Sequence, residues 1–432
     1  MKQLCLSLAL AITLLLIGSI SSEGADPPAK RHPAYSLLGR DKPPIDSPLN
    51  PHFVVSNEAG IKESSLWRGG YIPERLIGLD LADVDLDGKN ELVYVTPHNV
   101  YLARRNGPIL EQLATFKTED NVVIVSVDLF DVDLDGRREI IVSAQYNEQN
   151  ASSFILAYNG TRELQTLARN IQWYLRVTGS GGQKRLTGQR SATASNESFS
   201  GKPHYLEWNN GELKSVSIVQ LPRNINLYNF NIGNLGTQNT RLIAVVKSSD
   251  EHLALFDTGG GKVWESSDGY AGTANFIALP TSREQALQRE YLPTRLIIDD
   301  IDADGTNEII VAKNNQGGVP FMKNLRSFNS GVIEARKFTN LSLVPFFNSA
   351  NLLPGPAVDY ALADFDNNGT KDLVVAVVIE PGSGMLQDAR SVIVGYIDLY
   401  SQKPAEEVKA EEVKGNAPKT KPAKPADPKG KK

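Results

Sequence analysis

A chain of 432 residues, 41% hydrophobic and 22% charged, is globular in composition and has material for one large repeat domain or two to three ordinary ones. Its formal charge of −5 conceals an asymmetry: residues 401–432 hold nine lysines against five acids, which leaves about −9 on the remainder. An acidic body argues against nucleic acid as a partner, and a single cysteine, Cys5, excludes a disulfide framework and a cysteine-based zinc site.

Residues 1–24 read as a secretory signal, with an uncleaved membrane anchor as the alternative. Lys2 supplies the charge, an apolar run extends from Leu4 to Ile20, and small residues follow around Ser19 to Gly24. Cys5 precedes the run instead of ending it, which does not fit a lipid-attachment site. The expectation is an exported protein, periplasmic, cell-surface or secreted, with no membrane span in the mature chain. Residues 25–52, rich in Pro, Lys and Arg and without periodicity, are expected to form a flexible lead-in.

From 53 to 400 the chain repeats itself. LADVDLDGKNELVYV from Leu81, LFDVDLDGRREIIVS from Leu129, IDDIDADGTNEIIVA from Ile298 and LADFDNNGTKDLVVA from Leu362 align without gaps. Their first aspartates are separated by 48, 169 and 64 residues, and 169 leaves room for two degenerate copies. One is NIGNLGTQNTRLIAV at Asn231 to Val245, and the other centres on Val177 to Leu186. Each repeat continues as a β-branched run and then a Gly-containing turn between two further strand candidates, as in VYLARRNGPILEQL and HYLEWNNGELKSV. Four short antiparallel strands per unit predict an all-β fold, a β-propeller of six blades in preference to seven. The last unit ends after three strands, at VIVGYIDLY, while IKESSLW from Ile61 to Trp67 is spare at the start. An N-terminal strand is therefore expected to close the ring and remove an open sheet edge. An insertion from about Leu279 to Arg295, with a helical stretch SREQALQRE, interrupts the rhythm. Residues 401–432, with a doubled Ala-Glu-Glu-Val-Lys unit and little apolar content, are expected to form a disordered tail.

Within the four intact repeats, oxygen-bearing side chains fall at positions 1, 3, 5 and 9, with Gly at 6. The sets are Asp83, Asp85, Asp87 and Glu91; Asp131, Asp133, Asp135 and Glu139; Asp300, Asp302, Asp304 and Glu308; and Asp364, Asp366, Asn368 and Asp372. The carbonyls of Lys89, Arg137, Thr306 and Thr370 at position 7 are further candidate ligands. A short loop lined with oxygens suits a hard cation, and Ca2+ at about four structural sites is expected; a transition metal would ask for His or Cys. Position 12, which carries a bidentate Glu in an EF-hand, is Tyr94, Val142, Val311 or Val375, so these loops join strands instead of helices.

These segments resemble FG-GAP or VCBS repeats, the units of integrin alpha-subunit propellers and of many exported bacterial proteins. The resemblance implies calcium in the loop between the first two strands of a blade, and it extends to the four intact loops. Integrin-type Phe-Gly and Gly-Ala-Pro signatures are not evident.

No nucleophile elbow, P-loop or zinc-protease motif occurs, and His32, His52, His98, His204 and His252 are scattered. The expected function is non-catalytic, a scaffold or binding protein for a protein or surface-glycan partner. The alternative is an exported carbohydrate-active enzyme, a lyase or hydrolase; a quinone-dependent dehydrogenase is a weaker third. Trp67, Trp173, Trp208 and Trp264 are read first as core residues and second as sugar platforms. The metal-poor side, Gln145 to Asp299, is where a partner is expected to dock.

Overall fold

The computed structural model describes residues 50–57, 60–192, 197–279, 289–302, 304–317, 326–349, 353–382 and 388–397; for 50–65 and 397 it describes the backbone alone. All of them belong to one compact unit, Leu49–Lys432. The signal, most of the lead-in and the tail read from the sequence lie outside the described residues.

Two strands come first, β1 (Asn50–Asn57) and β2 (Gly60–Arg68). Blade one is β3 (Gly78–Ala82), β4 (Glu91–Val95), β5 (Asn99–Asn106) and β6 (Ile109–Lys117). Blade two is β7 (Val122–Phe130), β8 (Glu139–Tyr146), the two-residue β9 (Asn150–Ala151), β10 (Ser153–Tyr158) and β11 (Leu164–Ile171). Blade three is β12 (Tyr174–Thr178), β13 (Arg185–Ser191), β14 (Phe199–Asn209) and β15 (Glu212–Ile218); blade four is β16 (Phe230–Leu235), β17 (Thr240–Val246), β18 (His252–Asp257) and β19 (Lys262–Gly269). A separate two-stranded sheet, β20 (Phe276–Ala278) with β21 (Arg289–Tyr291), precedes blade five: β22 (Ile297–Asp299), β23 (Glu308–Gln316), β24 (Phe328–Thr339) and β25 (Ser342–Asn348). Blade six has three strands of its own, β26 (Ala357–Ala363), β27 (Asp372–Glu380) and β28 (Arg390–Ile397).

Six four-stranded antiparallel blades form the β-propeller that the repeat spacing predicts. Burial explains the strand order. Second strands such as β27, DLVVAVVIE, are buried along most of their length because neighbouring blades cover both faces, whereas β15, ELKSVSI, on an outer edge is almost wholly exposed. Between the outer strands of blade three, Asn210 and Gly211 turn the chain in two residues with φ of 51° and 86°, as a twisted hairpin requires.

The expected closure is present: β2 pairs antiparallel with β28, Leu66 opposite Tyr396 and Arg68 opposite Val394, and supplies the fourth strand of blade six. β1 was not foreseen as a strand. It pairs with β2 and, at Ser56 and Asn57, with β25, so blades five and six become one nine-stranded sheet. Both degenerate repeats form complete blades. The expected helical stretch SREQALQRE is corrected at its end, where Arg289 and Glu290 belong to strand β21, held there by pairing to Ala278 and Ile277; its other residues lie outside the described ones.

Candidate metal centres

Each intact acidic loop joins the inner strand of its blade to the second, and one hydrogen-bond skeleton recurs in all four. The position 9 carboxylate faces the last residue of the inner strand, in pairs Ala82/Glu91, Phe130/Glu139, Asp299/Glu308 and Ala363/Asp372. It accepts the N–H of position 2: Val84 to Glu91 at 3.0 Å, Val132 to Glu139 at 2.8 Å, Ile301 to Glu308 at 3.0 Å and Phe365 to Asp372 at 2.8 Å. The first aspartate accepts the N–H of the position 6 glycine at 2.7–3.0 Å in every loop. Those glycines, Gly88, Gly136, Gly305 and Gly369, have φ of 82–96°, a region that other residues enter at a cost. Leu86, Leu134 and Asn367 at position 4 also have positive φ, 60–65°, so those three loops hold local strain at the same place.

This skeleton draws ligand atoms of Asp83, Asp85 and Glu91, of Asp131, Asp133 and Glu139, of Asp300, Asp302 and Asp304, and of Asp364, Asp366 and Asp372 within 4.8 Å of one another. Asp87, Asp135 and Glu308 fall outside those groups. At position 7 the backbone N–H of Lys89, Arg137, Thr306 and Thr370 donates to the position 5 side chain at 2.8–2.9 Å.

The four loops differ in what faces them. In blade one, Leu92 pairs with Ala103, which puts Arg104 beside Glu91. Its guanidinium bonds Glu91 and lies 2.8 Å from Asp87 and 3.8 Å from Asp85. In blade five, Ile309 pairs with Arg336, and Lys337 takes the matching place, 2.8 Å from Asp302, 2.6 Å from Asp304 and 3.8 Å from Glu308. The same register offers Ala157 beside Glu139 in blade two and Ile397 beside Asp372 in blade six. Blade six borrows Arg105 from blade one, 3.1 Å from Asp366. Around Asp131, Asp133, Asp135 and Glu139, no basic group of the described residues comes within 4 Å.

Burial, reinforced by neighbouring aspartates and only partly offset by backbone donors and, in blades one and five, by Arg104 and Lys337, pushes Glu91 and Glu139 up to about 7 and Glu308 up to about 8. Buried oxygens without a hydrogen-bond partner remain on Asp131, Asp302, Asp366 and Glu308. Oxygen donors only, converging, partly desolvated and left short of partners, fit a hard divalent cation.

The sequence reading missed two ionic groupings. On the propeller axis Arg295 lies 2.6 Å from Asp359, 3.2 Å from Asp128 and 3.6 Å from Asp80, and donates to the carbonyls of Leu79 and Val127. Although burial works against its charge, Asp359, Asp80 and Asp128 hold that guanidinium well above its ordinary value. Asp80 and Asp128 each stand three residues before a first loop aspartate, a shared offset that could have marked them. The second grouping, Asp250, His252 and Glu265, is a salt-bridge cluster: Lys247 bonds Asp250 at 2.8 Å and Glu265 at 2.6 Å, and Lys262 bonds Glu265 at 2.7 Å. Among the tryptophans, Trp67 and Trp173 are core residues, while Trp264 borders a groove between blades four and five.

Residues 83–142 match the model of the FG-GAP-like repeat family, a span that runs from the first loop through the second. No curated protein matches the chain in sequence. Among solved structures, a glucose dehydrogenase is similar at 9% identity and a TM-score of 0.42, over 76% of this chain and 98% of that one. A protein from Bacteroides caccae is similar at 12% identity and a TM-score of 0.31, over 70% and 94% of the two chains.

Proposed function

Starting from a six-bladed β-propeller with an FG-GAP-like repeat, we propose that the protein is an exported, calcium-stabilised scaffold that binds a protein or glycan through its faces. The observation that carries the reading is the recurrence of one acidic loop skeleton in four blades, with buried carboxylate oxygens left unpaired in three of them. Calcium would supply the neutralising charge; the chain's part is to hold the carboxylates in place. Position 9 is fixed by the position 2 N–H and position 1 by the position 6 N–H, so little ordering remains to be done on binding. Blade two, with four carboxylates and no facing base among the described residues, depends most on the ion. Export is supported by Lys2 and the apolar run from Leu4 to Ile20.

Thermal unfolding of the full chain with calcium and with a chelator tests the metal reading. A site filled at a hundred times its Kd adds about 2.7 kcal/mol, so a clear rise in Tm with calcium is expected. An unchanged Tm would overturn it.

A second, enzymatic reading draws on the groove between blades four and five, about 470 Å³, bordered by Trp264, Tyr270, Asp268 and Glu334. Both acids are ion-paired, Asp268 to Lys313 and Glu334 to Arg336, each at 2.8 Å. That pairing favours sugar contact over acid–base work, which needs a carboxyl group free to exchange its proton.

A further inference from the structure

The blade-four to blade-five connection carries an element that the other connections lack among the described residues, the β20–β21 sheet. It lies where the inner strands begin, whereas the acidic loops leave from the ends of those strands. Beside it opens a cleft of about 350 Å³ walled by Phe276, Tyr291 and Phe328 and by three arginines, Arg75, Arg289 and Arg326. No Asp or Glu borders it among the described residues, although the protein as a whole is acidic.

The three arginines are not equivalent. Arg326 is ion-paired with Glu251 and lies over the Tyr291 ring, 4.4 Å from its centroid. Arg75 bonds only neutral oxygens, Ala274 O and Asn275 Oδ1, each at 2.8 Å. Arg289 lies over Phe276, 4.5 Å from the ring centroid, and has no acidic partner among the described residues. Alternation along β21 puts Arg289 and Tyr291 on one face and Glu290 on the other, where it accepts from Asn226 at 3.5 Å. Other buried guanidiniums of the fold have acids, as Arg295 has Asp359 and Arg336 has Glu334, although Arg68 bonds only the Tyr71 hydroxyl among the described residues. Here burial and the like charge of Arg289 press Arg75 below its ordinary value. Arg289 is exposed and Arg75 half-buried, so the uncompensated charge is felt mainly at Arg75, where an anion joining the two would relieve it. Stacking on a ring fixes the guanidinium plane and leaves its N–H edge open for a two-pronged grip on an oxyanion.

We propose that this cleft binds a small organic oxyanion, a carboxylate or phosphate ester of about monosaccharide size, held between Arg75 and Arg289. The inference gives the binding-protein reading a ligand class and rests on that reading, but not on calcium in the loops.

The test is calorimetric titration of the full chain with sodium glucuronate, glucose 6-phosphate and neutral glucose, with calcium present and again after chelation. At least one anionic probe is expected to bind in the millimolar range or tighter and glucose not to bind; the stronger of the two anions identifies the preferred group. Arg289→Gln should weaken that binding about tenfold or more, the loss of one charge-assisted hydrogen bond or two. Arg75→Gln should do the same, but it also removes two hydrogen bonds to the chain, so Arg289→Gln decides. Its ligand-free Tm should hold or rise, because a repulsion is relieved. Binding of neither anion, equal binding of glucose, unchanged affinity in Arg289→Gln, or a ligand-free Tm several degrees lower would each overturn the proposal. Anion binding that persists while calcium leaves Tm untouched would support it and remove the metal reading alone.

Discussion

Arg104 and Lys337 place a fixed positive charge where the loop carboxylates of blades one and five converge, and Ala157 leaves the matching place in blade two without one. A built-in cation and a bound one are then alternatives for the same carboxylates. At pH 8, where Glu91 is ionised, Arg104→Ala should destabilise the calcium-free chain by up to about 3 kcal/mol, and calcium should recover most of that loss. At pH 5, where Glu91 carries a proton, the loss should be smaller. Ala157→Arg should do the reverse and shrink the stabilisation that calcium confers on the parent chain. Urea unfolding of both variants, with and without calcium, checks the pair. The loops were legible in the sequence because their ligands are close neighbours along it. Arg104 was not, because what aims it at Glu91 is the register between β4 and β5, and no spacing rule reveals that.

Trp67 closes the ring at the level of the element. It stands near the end of β2, fully buried, edge-on to Phe365 at 5.0 Å, and donates from Nε1 to Gly107 O at 3.1 Å. Phe365 is position 2 of the acidic loop of blade six, so the closing strand, that loop and the outer hairpin of blade one meet at one indole. Trp67→Ala should cost about 3–5 kcal/mol in chemical denaturation at saturating calcium. A cost below 1 kcal/mol would show that β2 is dispensable to the ring. The need for β2 could be read from the sequence, since the last repeat is one strand short. β1 could not: its contact with β25 joins Ser56 and Asn57 to Asn348 and Phe347, a meeting that exists only once blades five and six are side by side. The helical reading of SREQALQRE failed at Arg289 and Glu290 for a related reason, since pairing with β20 outweighs local helix preference.

Across the whole molecule, the three buried glutamates set a pH dependence. Without calcium the folded chain keeps protons on Glu91, Glu139 and Glu308 up to about pH 7–8, whereas the unfolded chain releases them near 4.5. The folded state therefore binds more protons across that interval, and its stability should fall as pH rises through it. Thermal melts of the chelated protein should give a higher Tm at pH 5 than at pH 8, and saturating calcium, which favours the ionised carboxylates, should flatten or reverse the trend. A chelated Tm that climbs over the same range would contradict the burial of these groups. Six blades were countable because even the two that lost their acids keep a turn at blade spacing. The Arg295 network spans residues 80 to 359 and ties blades one, two and six on the axis, and only folding brings such distant positions together.

The pairing of Arg68 with Val394 also fixes an order of events. β2 is synthesised before β28 and all the blades between them, so one of its edges waits for a partner until blade six is made. No prefix of the chain is a finished object. The ring latches when blade six arrives, and a chain that lacks β28 leaves an edge of β2 ready to pair with another copy of itself.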